Sequence, residues 1–86
     1  MELNDINKLL DEVNSDRTVP RNIRILTEQA KKDLNNAANE MSVRINSAVS
    51  ILDEVSNDPN IPTYTRTQIW NAVSMLEAMN EKHKDK

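Results

Sequence analysis

The chain repeats part of its own sequence at an offset of 42 residues, and this repeat constrains the fold more than any other feature. The tetrapeptide Leu-Asp-Glu-Val at residues 10–13 recurs at residues 52–55. Identical or conservative pairs follow at the same offset: Asp16/Asp58, Val19/Ile61, Pro20/Pro62, Arg24/Arg66, Ala30/Ala72 and Leu34/Leu76. Because the match contains no gap, the two halves are predicted to be two copies of one structural unit.

Each half has the pattern of a helix, a short turn containing proline, and a second helix. Apolar residues recur at steps of three and four, which is the spacing of a helix with one buried face. The four sets are Leu3, Ile6, Leu10, Val13; Ile23, Leu26, Ala30, Leu34, Ala37; Met41, Ile45, Ala48, Leu52, Val55; and Ile69, Val73, Leu76. A mean step near 3.5 residues favours near-parallel packing of helices. We therefore predict an all-α fold, a four-helix up-and-down bundle built from two repeated helical hairpins.

The composition excludes several fold and function classes independently of the repeat. The chain contains no Cys, so a disulfide scaffold, a thiolate zinc site and a thiol nucleophile are excluded. It contains no Gly, which excludes a Walker loop, a dinucleotide-binding turn and an EF-hand loop. Aromatic residues make up only 2% of the chain, which argues against a β-sandwich or barrel and favours an all-α fold.

The length of 86 residues fits one small domain. We assign residues 1–81 to a single four-helix domain, with one hairpin in residues 1–37 and the other in residues 38–81. Residues 82–86 have the sequence Lys-His-Lys-Asp-Lys and are predicted to form a charged, disordered tail.

The connections between the helices are marked by proline and by asparagine. Pro20 and Pro62 are expected in the first turns of the second and fourth helices, where a missing N–H is tolerated. The join between the second and third helices is predicted near Asn35–Asn39, a stretch with neither Gly nor Pro. A single bent helix is the alternative at this place.

Charge is distributed along the chain in blocks. The net charge is −3, but residues 1–16 sum to −4 and residues 17–32 sum to +4. An acidic first helix beside a basic second helix favours their antiparallel pairing. Because exposed ion pairs contribute about 0.2–1 kcal/mol each, these charges influence pairing preference more than stability.

Two specific ion pairs are predicted within the hairpins. Acidic residues near the carboxyl ends of the first and third helices oppose the helix dipole, which indicates tertiary partners for them. With the first turn centred near residue 18, Glu12 is placed opposite Arg24. By the repeat, Glu54 is placed opposite Arg66.

The motifs of both halves together resemble a known family. The second half contains Ile-Leu-Asp-Glu-Val at 51–55, Asp-Pro-Asn-Ile-Pro at 58–62 and Arg-Thr-Gln-Ile-Trp at 66–70. With Val-Pro-Arg-Asn-Ile-Arg at 19–24, the chain resembles uncharacterised protein family 0147 over nearly its whole length. The resemblance implies a short, all-helical archaeal protein and implies no activity. The chain departs from the family pattern at residues 34–39, where members often carry an acidic, sometimes Pro-containing join.

A basic cluster is the main candidate for a binding surface. It consists of Arg17, Arg21, Arg24, Lys31 and Lys32. One interpretation is a surface for RNA phosphates or for an acidic protein partner. The other interpretation, which we favour, is that the cluster complements the acidic first helix. No aromatic side chain lies within the cluster to stack on bases.

The few aromatic residues and the methionines are interpreted as structural. Trp70 follows Ile69 and precedes Val73, so it is predicted to lie in the bundle core or at its edge. Tyr64 is expected to pack over the second Pro-containing turn. The methionines at 41, 75 and 79 are interpreted as core residues and not as a binding groove.

No pattern in the chain indicates catalysis or a resident metal. A di-iron carboxylate site needs Glu-x-x-His on two helices, and the single His83 has no Glu three residues before it. A divalent-cation site from Asp53, Glu54 and Asp58 stays open, although solvent-facing or Arg-paired acids are favoured. We expect no enzyme activity, no cofactor and no metal.

The function expected from these observations is that of a non-enzymatic protein-interaction or adaptor module, with a protein partner or a second copy as ligand. The alternative is an accessory factor associated with RNA or translation through the basic second helix. The chain has no apolar stretch that could span a membrane, and its start lacks the pattern of a secretory signal. A cytoplasmic location without membrane association is therefore expected.

Overall fold

The chain forms four α-helices in a computed structural model that describes residues 3–84, with side chains as far as Lys82. The helices are α1 (Leu3–Ser15), α2 (Arg21–Leu34), α3 (Met41–Ser56) and α4 (Thr63–Lys84). Residues 3–84 contain no β-strand. The predicted all-α class and the four helices are confirmed.

The four helices are arranged as a ring. Each helix packs against the next one in sequence, and α4 packs against α1. Within residues 3–84, no close backbone contact joins α1 to α3 or α2 to α4, so these pairs lie diagonally across the bundle. Hydrogen bonds between Asn7 and Asn35 and an ion pair between Asp11 and Lys31 show that α1 and α2 run antiparallel. This is the predicted up-and-down bundle.

The core is formed largely by the apolar faces that the spacing predicted, although Ala37 of the second set is exposed in the connection after α2, which ends at Leu34. Its buried apolar residues are Ile6, Leu10, Val13, Val19, Ile23, Ala30, Leu34, Ile45, Ala48, Leu52, Val55, Ile61, Ile69, Ala72 and Leu76. Each large side chain among them stabilises the fold by roughly 1.5–3 kcal/mol through removal from water. Thr27 is the polar member of the α2 face, and its hydroxyl donates a hydrogen bond to the Ile23 carbonyl oxygen at 2.9 Å.

The aromatic side chains lie outside this core. Trp70 is 56% exposed and Tyr64 is 69% exposed, so the prediction of Trp70 in the core or at its edge is wrong. Ile69 fills the core position, and Trp70 follows it about 100° further around the helix. Met41, Met75 and Met79 are partly buried against the core, as predicted for core residues.

The three connections between helices share one local motif. An Asp or Asn side chain accepts a hydrogen bond from the backbone N–H two residues later, which is an Asx-turn. The three bonds are Thr18 N to Asp16 Oδ1 at 2.9 Å, Ala38 N to Asn36 Oδ1 at 3.0 Å, and Asn60 N to Asp58 Oδ1 at 2.8 Å. The middle connection is therefore of the same kind as the two Pro-containing connections.

The residue just before each later helix is also equivalent in the three connections. Pro20 precedes α2 with φ −56° and ψ 147°, and Glu40 precedes α3 with φ −65° and ψ 153°. Pro62 directly precedes α4. The two prolines thus lie one residue earlier than the predicted first helical turns, where their missing N–H is equally harmless.

An arginine eight residues after each Asx side chain fastens the connection to the helix that follows. The Nε–H groups donate to the carbonyl oxygens of preceding residues: Arg24 to Val19 at 3.1 Å, Arg44 to Leu34 at 2.8 Å and Arg66 to Ser56 at 3.2 Å. Arg66 also donates through Nη2 to the Asp58 carbonyl oxygen at 3.0 Å. Carbonyl groups at helix ends and in turns have no partner within a helix, and these guanidinium groups satisfy them.

The predicted Glu12–Arg24 and Glu54–Arg66 ion pairs are replaced by these backbone contacts. Glu12 instead accepts a hydrogen bond from the Gln68 side chain of α4 at 3.2 Å, and Glu54 is exposed. The ion pair found among the described residues joins Lys31 to Asp11. The carbonyl oxygen already has a fixed position beside the guanidinium group, so binding it restricts only the arginine side chain. An ion pair with an exposed Glu would also restrict the carboxylate side chain, at a cost in entropy.

The helix boundaries also bear on the predicted division of the chain. Residues 35–40 join α2 to α3, and this segment includes the predicted boundary between residues 37 and 38. The α2–α3 contact is the most extensive in the bundle, so the two halves form one packed unit. The helix α4 continues to Lys84, so the first three residues of the predicted tail are helical, and residues 85–86 lie outside the described range.

Candidate binding surface between the first and second helices

The outer face of α2 combines positive charge with an exposed apolar side chain. Ile23 and Ala30 point to the core. Ile25 follows Ile23 by about 200° around the helix, and it is 58% exposed on the opposite side. Arg21 and Lys32 are exposed within two turns of Ile25 on the same side. The surface is therefore basic at both ends and apolar between them.

These residues line a shallow groove of about 340 Å³ beside α1. We call it the α2 groove, and its lining residues are Asn14, Arg21, Arg24, Ile25, Glu28, Gln29 and Lys32. Asn14 contributes the α1 side, where its Nδ2 donates a hydrogen bond to Glu28 Oε1 at 3.0 Å. The groove thus has a fixed polar contact at one wall and an apolar side chain in its lining.

The basic side chains differ in how they are used within the fold. Lys31 pairs with Asp11 of α1, and the hydrogen bond that the ammonium group donates to that carboxylate raises the lysine pKa above its usual range. Arg24 is half-buried and bonded to the Val19 carbonyl oxygen. Arg21 and Lys32 are exposed and have no ion-pair partner among the described residues. Their positive charges are therefore available to a ligand.

The structure brings together part of the predicted basic cluster. Arg21, Arg24 and Lys32 line the α2 groove. Lys31 is directed to α1, as in the interpretation in which the cluster complements the acidic first helix. Arg17 is exposed in the connection before α2 and does not line the groove. Ile25 was not predicted as part of a surface, although its position off the apolar stripe of α2 was the available signal.

A second distinctive surface lies on the outer side of α4. Tyr64 and Trp70 are exposed there, and α4 is diagonally opposite α2 in the ring. The exposed aromatic side chains and the α2 groove are therefore on opposite corners of the bundle. A nucleic acid bound at Arg21 and Lys32 therefore has no aromatic side chain beside the groove on which to stack its bases.

The acidic residues form no recognisable metal centre in the part of the chain that the structure describes. No three His, Cys, Asp or Glu side chains are grouped there so as to hold a metal ion. Asp58, one of the three acids considered for a divalent cation, accepts the Asx-turn hydrogen bond from Asn60. A wider groove between α3 and α4, of about 530 Å³, contains Glu77, Glu81 and amide groups. Among the described helices, none is long and apolar enough to cross a membrane.

Comparison with known proteins identifies the family. The model of the uncharacterised protein family UPF0147 matches residues 1–79. The chain belongs to UPF0147. A family protein of Methanocaldococcus jannaschii is 55% identical over 69 residues, which cover 80% of this chain and 74% of that protein. A second, of Methanothermobacter thermautotrophicus, is 44% identical over 91% of this chain and 76% of that protein.

Two solved structures are similar to this chain in fold and sequence. The crystal structure of the unknown function protein MMP1188 matches with a TM-score of 0.84 and 49% identity, over 87% of this chain and 85% of that one. A UPF0147 protein from Thermoplasma acidophilum matches with a TM-score of 0.84 and 38% identity, over 88% of this chain and 89% of that one. The family is uncharacterised, so the match assigns no function to the chain.

Proposed function

We propose that the protein is a non-enzymatic protein-interaction module whose α2 groove binds an acidic segment of a partner protein. The observation that carries this proposal is the position of Arg21 and Lys32, which have no ion-pair partner among the described residues, on either side of the exposed Ile25. The proposal includes the cytoplasmic location expected from the sequence.

The groove matches a peptide that carries both apolar and acidic side chains. An apolar side chain of the partner packs against Ile25 and removes its exposed surface from water. Carboxylates on either side of that anchor bind Arg21 and Lys32, which increases the association rate and determines orientation. Glu28 lies in the same groove and is bonded to Asn14, so it disfavours a ligand with negative charge at the centre.

The absence of catalysis is part of the proposal. General acid–base catalysis usually relies on a carboxylate or imidazole whose pKa is displaced towards neutrality in a pocket. The displaced pKa values found among the described groups belong to Asp16 and Lys31, and a hydrogen bond within the fold explains each of them. Both groups therefore have structural roles that account for their environment.

RNA binding through the same basic residues is the second candidate. The unpaired Arg21 and Lys32 are suitable for phosphate contacts. Two features favour a protein ligand over RNA: Glu28 adds negative charge to the groove, and the exposed aromatic side chains lie on the opposite corner of the bundle. The two candidates differ in their sensitivity to nuclease.

The test compares two double variants with the same change of charge. In Arg21→Glu with Lys32→Glu the charge of the α2 groove is reversed. In Lys8→Glu with Lys82→Glu two exposed lysines elsewhere are reversed. Each tagged protein is purified from its native cells, with and without nuclease, and the bound proteins are quantified by mass spectrometry.

We expect one stoichiometric protein partner that contains an acidic segment and is still recovered after nuclease treatment. Its recovery should fall at least about tenfold with the groove variant and stay unchanged with the control variant. A synthetic peptide of that segment should compete with the partner for the wild-type protein. Equal recovery with both variants contradicts the proposal, as does recovery of no partner. Recovery that disappears after nuclease supports the RNA candidate instead.

A further inference from the structure

The outer face of α4 is uncharged over its first three turns. Its exposed residues there are Thr63, Tyr64, Thr67, Trp70, Asn71 and Ser74, and we call this set the α4 outer face. Helix α3 presents a similar uncharged face, with Val43, Asn46 and Ser50 exposed over its first three turns, so the aromatic side chains are what distinguish the α4 outer face. Arg66 is the one charged residue in these turns, and its guanidinium group is directed to the carbonyl oxygens of Ser56 and Asp58.

The α4 outer face also holds both aromatic side chains of the chain. Tyr64 and Trp70 are more than half exposed, while the core is made of aliphatic residues. Interface cores are depleted of charged residues and enriched in aromatic ones, and Trp and Tyr are frequent among the residues that dominate binding energy. The composition of this face is therefore that of a contact surface.

The spacing of the face makes it complementary to itself. Tyr64, Thr67, Asn71 and Ser74 follow steps of three, four and three, so they lie along one line of the helix. This series reads the same in both directions about position 69. Two copies of the helix that run antiparallel can therefore place Tyr64 of one copy opposite Ser74 of the other, and Thr67 opposite Asn71.

We propose that the α4 outer face is a self-association surface, on which two copies of the chain pair antiparallel about a twofold axis near position 69. Trp70 is one residue from position 69 along the helix and lies to the same side of the contact line in both copies, so the two indole rings can pack against each other beside that line. Thr67 and Asn71 of opposite copies are placed to exchange hydrogen bonds. A twofold interface of this kind is closed and yields a dimer.

Charge favours a second copy over another ligand at this face. The net charge of the chain is −3, so two copies repel each other at most orientations. Contact through an uncharged face places no like charges of the two copies against each other. The inference does not depend on the proposed function, because the α2 groove lies on the diagonally opposite corner and stays open in the dimer.

The dimer is expected to be weak. The line from Tyr64 to Ser74 is about 15 Å long at the rise of an α-helix. If each copy contributes one such face, the buried surface area lies at the low end for specific interfaces. Interfaces of that size are weak and reversible. Association should therefore depend on concentration, with monomers in dilute solution and dimers in concentrated solution.

The first test is sedimentation equilibrium over about a thousand-fold range of protein concentration. The mass of the wild-type protein should rise from that of one chain, 9.8 kDa, towards twice that value. Trp70→Lys brings two like charges to the axis and should shift the midpoint to at least about tenfold higher concentration. Val43→Lys is the matched control, since Val43 is an exposed apolar residue of α3 outside both proposed surfaces, and should leave the midpoint unchanged.

Trp70 reports on its own burial, because it is the single Trp of the chain. Its fluorescence emission should move to shorter wavelength over the same concentration range as the change in mass. Circular dichroism of both lysine variants separates loss of association from loss of fold. A mass that stays monomeric throughout the range overturns the proposal, and so does an equal loss of association in Val43→Lys.

The orientation of the two copies can be tested by cross-linking, because the chain has no Cys. The variants Thr67→Cys and Asn71→Cys are prepared separately, mixed and oxidised at a dimer-forming concentration. Antiparallel pairing predicts that the mixed disulfide between positions 67 and 71 exceeds both symmetric disulfides. A dominant disulfide between two copies of the same variant contradicts the antiparallel axis.

Discussion

At the scale of single residues, an Asx side chain organises each connection. Asp16, Asn36 and Asp58 occupy equivalent positions and accept equivalent backbone hydrogen bonds. Asp16 also accepts a bond from the Thr18 hydroxyl at 2.7 Å, and the two bonds from Thr18 lower the pKa of its carboxyl. In the middle connection the neutral amide of Asn36 accepts the same hydrogen bond, so the turn does not require a charged acceptor. In the first connection the ionised carboxylate of Asp16 adds to the stability of the turn.

The lowered pKa of Asp16 leads to a prediction about pH. A carboxyl with a depressed pKa in the folded state adds stability above its unfolded pKa, and this contribution is lost as pH falls through the folded pKa. We therefore expect wild-type protein to be more stable than Asp16→Asn at neutral pH. The difference should shrink as the pH is lowered below the usual Asp value of about 3.9.

Urea unfolding of both proteins over a series of pH values measures this difference. Asp16→Ala is the control, because it removes the turn acceptor in both protonation states and should be destabilising at every pH. A difference between wild type and Asp16→Asn that is the same at neutral and acidic pH would show that the ionised form has no advantage in the turn.

Single-residue inference from the sequence succeeded for part of the candidate site. Arg21 and Lys32 were predicted as surface residues because their charge and helix position can be seen in the sequence. The partners of Arg24 could not be predicted by pairing opposite charges, since the guanidinium group binds a backbone carbonyl oxygen. The position of such a carbonyl oxygen depends on the folded conformation of the connection, which the sequence pattern does not give.

At the scale of the elements, the three connections are variants of one motif. In each, an Asx residue is followed after four positions by Pro or Glu and after eight positions by Arg. The middle join was predicted near Asn35–Asn39, and it lies at residues 35–40. The equivalence of this join to the other two was missed because Asn replaces Asp and Glu replaces Pro.

This equivalence predicts that proline is tolerated in the middle connection. Glu40 has φ −65°, the value that proline requires, and its position matches Pro20 and Pro62. Asn39 donates its N–H to the Asn36 carbonyl oxygen, as Val19 does to that of Asp16, so the residue before the substitution has the same bonding. We expect Glu40→Pro to stabilise the protein by about 0.4–1 kcal/mol, because it restricts the unfolded chain.

The free energy of unfolding in urea tests this prediction. Glu40→Ala is the matched control, because it removes the same carboxylate without fixing φ. Stabilisation by proline that exceeds the effect of alanine supports the equivalence of the three connections. Destabilisation by proline alone would show that the backbone at Asn39 and Glu40 differs from that of the Pro-containing connections.

At the scale of the whole molecule, the repeat and the apolar spacing were sufficient to predict the bundle. Each predicted stripe supplied most of the buried apolar residues of its helix. The exposed position of Trp70 could not be obtained in this way, because aliphatic side chains from four helices already fill the core. Which surfaces lie on opposite corners depends on the order of helices around the ring, and the α4–α1 contact establishes that order.

The ring has one contact that differs from the other three. Helices α1 and α4 are neighbours in space but are separated by the rest of the chain, whereas the remaining contacts join consecutive helices. Their contact includes the hydrogen bond from Gln68 to Glu12, and α1 packs less extensively than α2 or α3. Local opening usually begins where a segment has few contacts. We therefore expect α1 to detach reversibly while α2, α3 and α4 remain packed.

Native-state hydrogen exchange in low concentrations of denaturant measures this opening. Amides in the middle of α1 should exchange with a smaller free energy than amides in the middle of α2 and α3. Equal values in all helices would show that the bundle opens only as a whole. Because Asn14 of α1 forms one wall of the α2 groove, release of the first helix would also dismantle that groove. Occupation of the groove would then slow exchange throughout α1, so a ligand could be detected far from its own contacts.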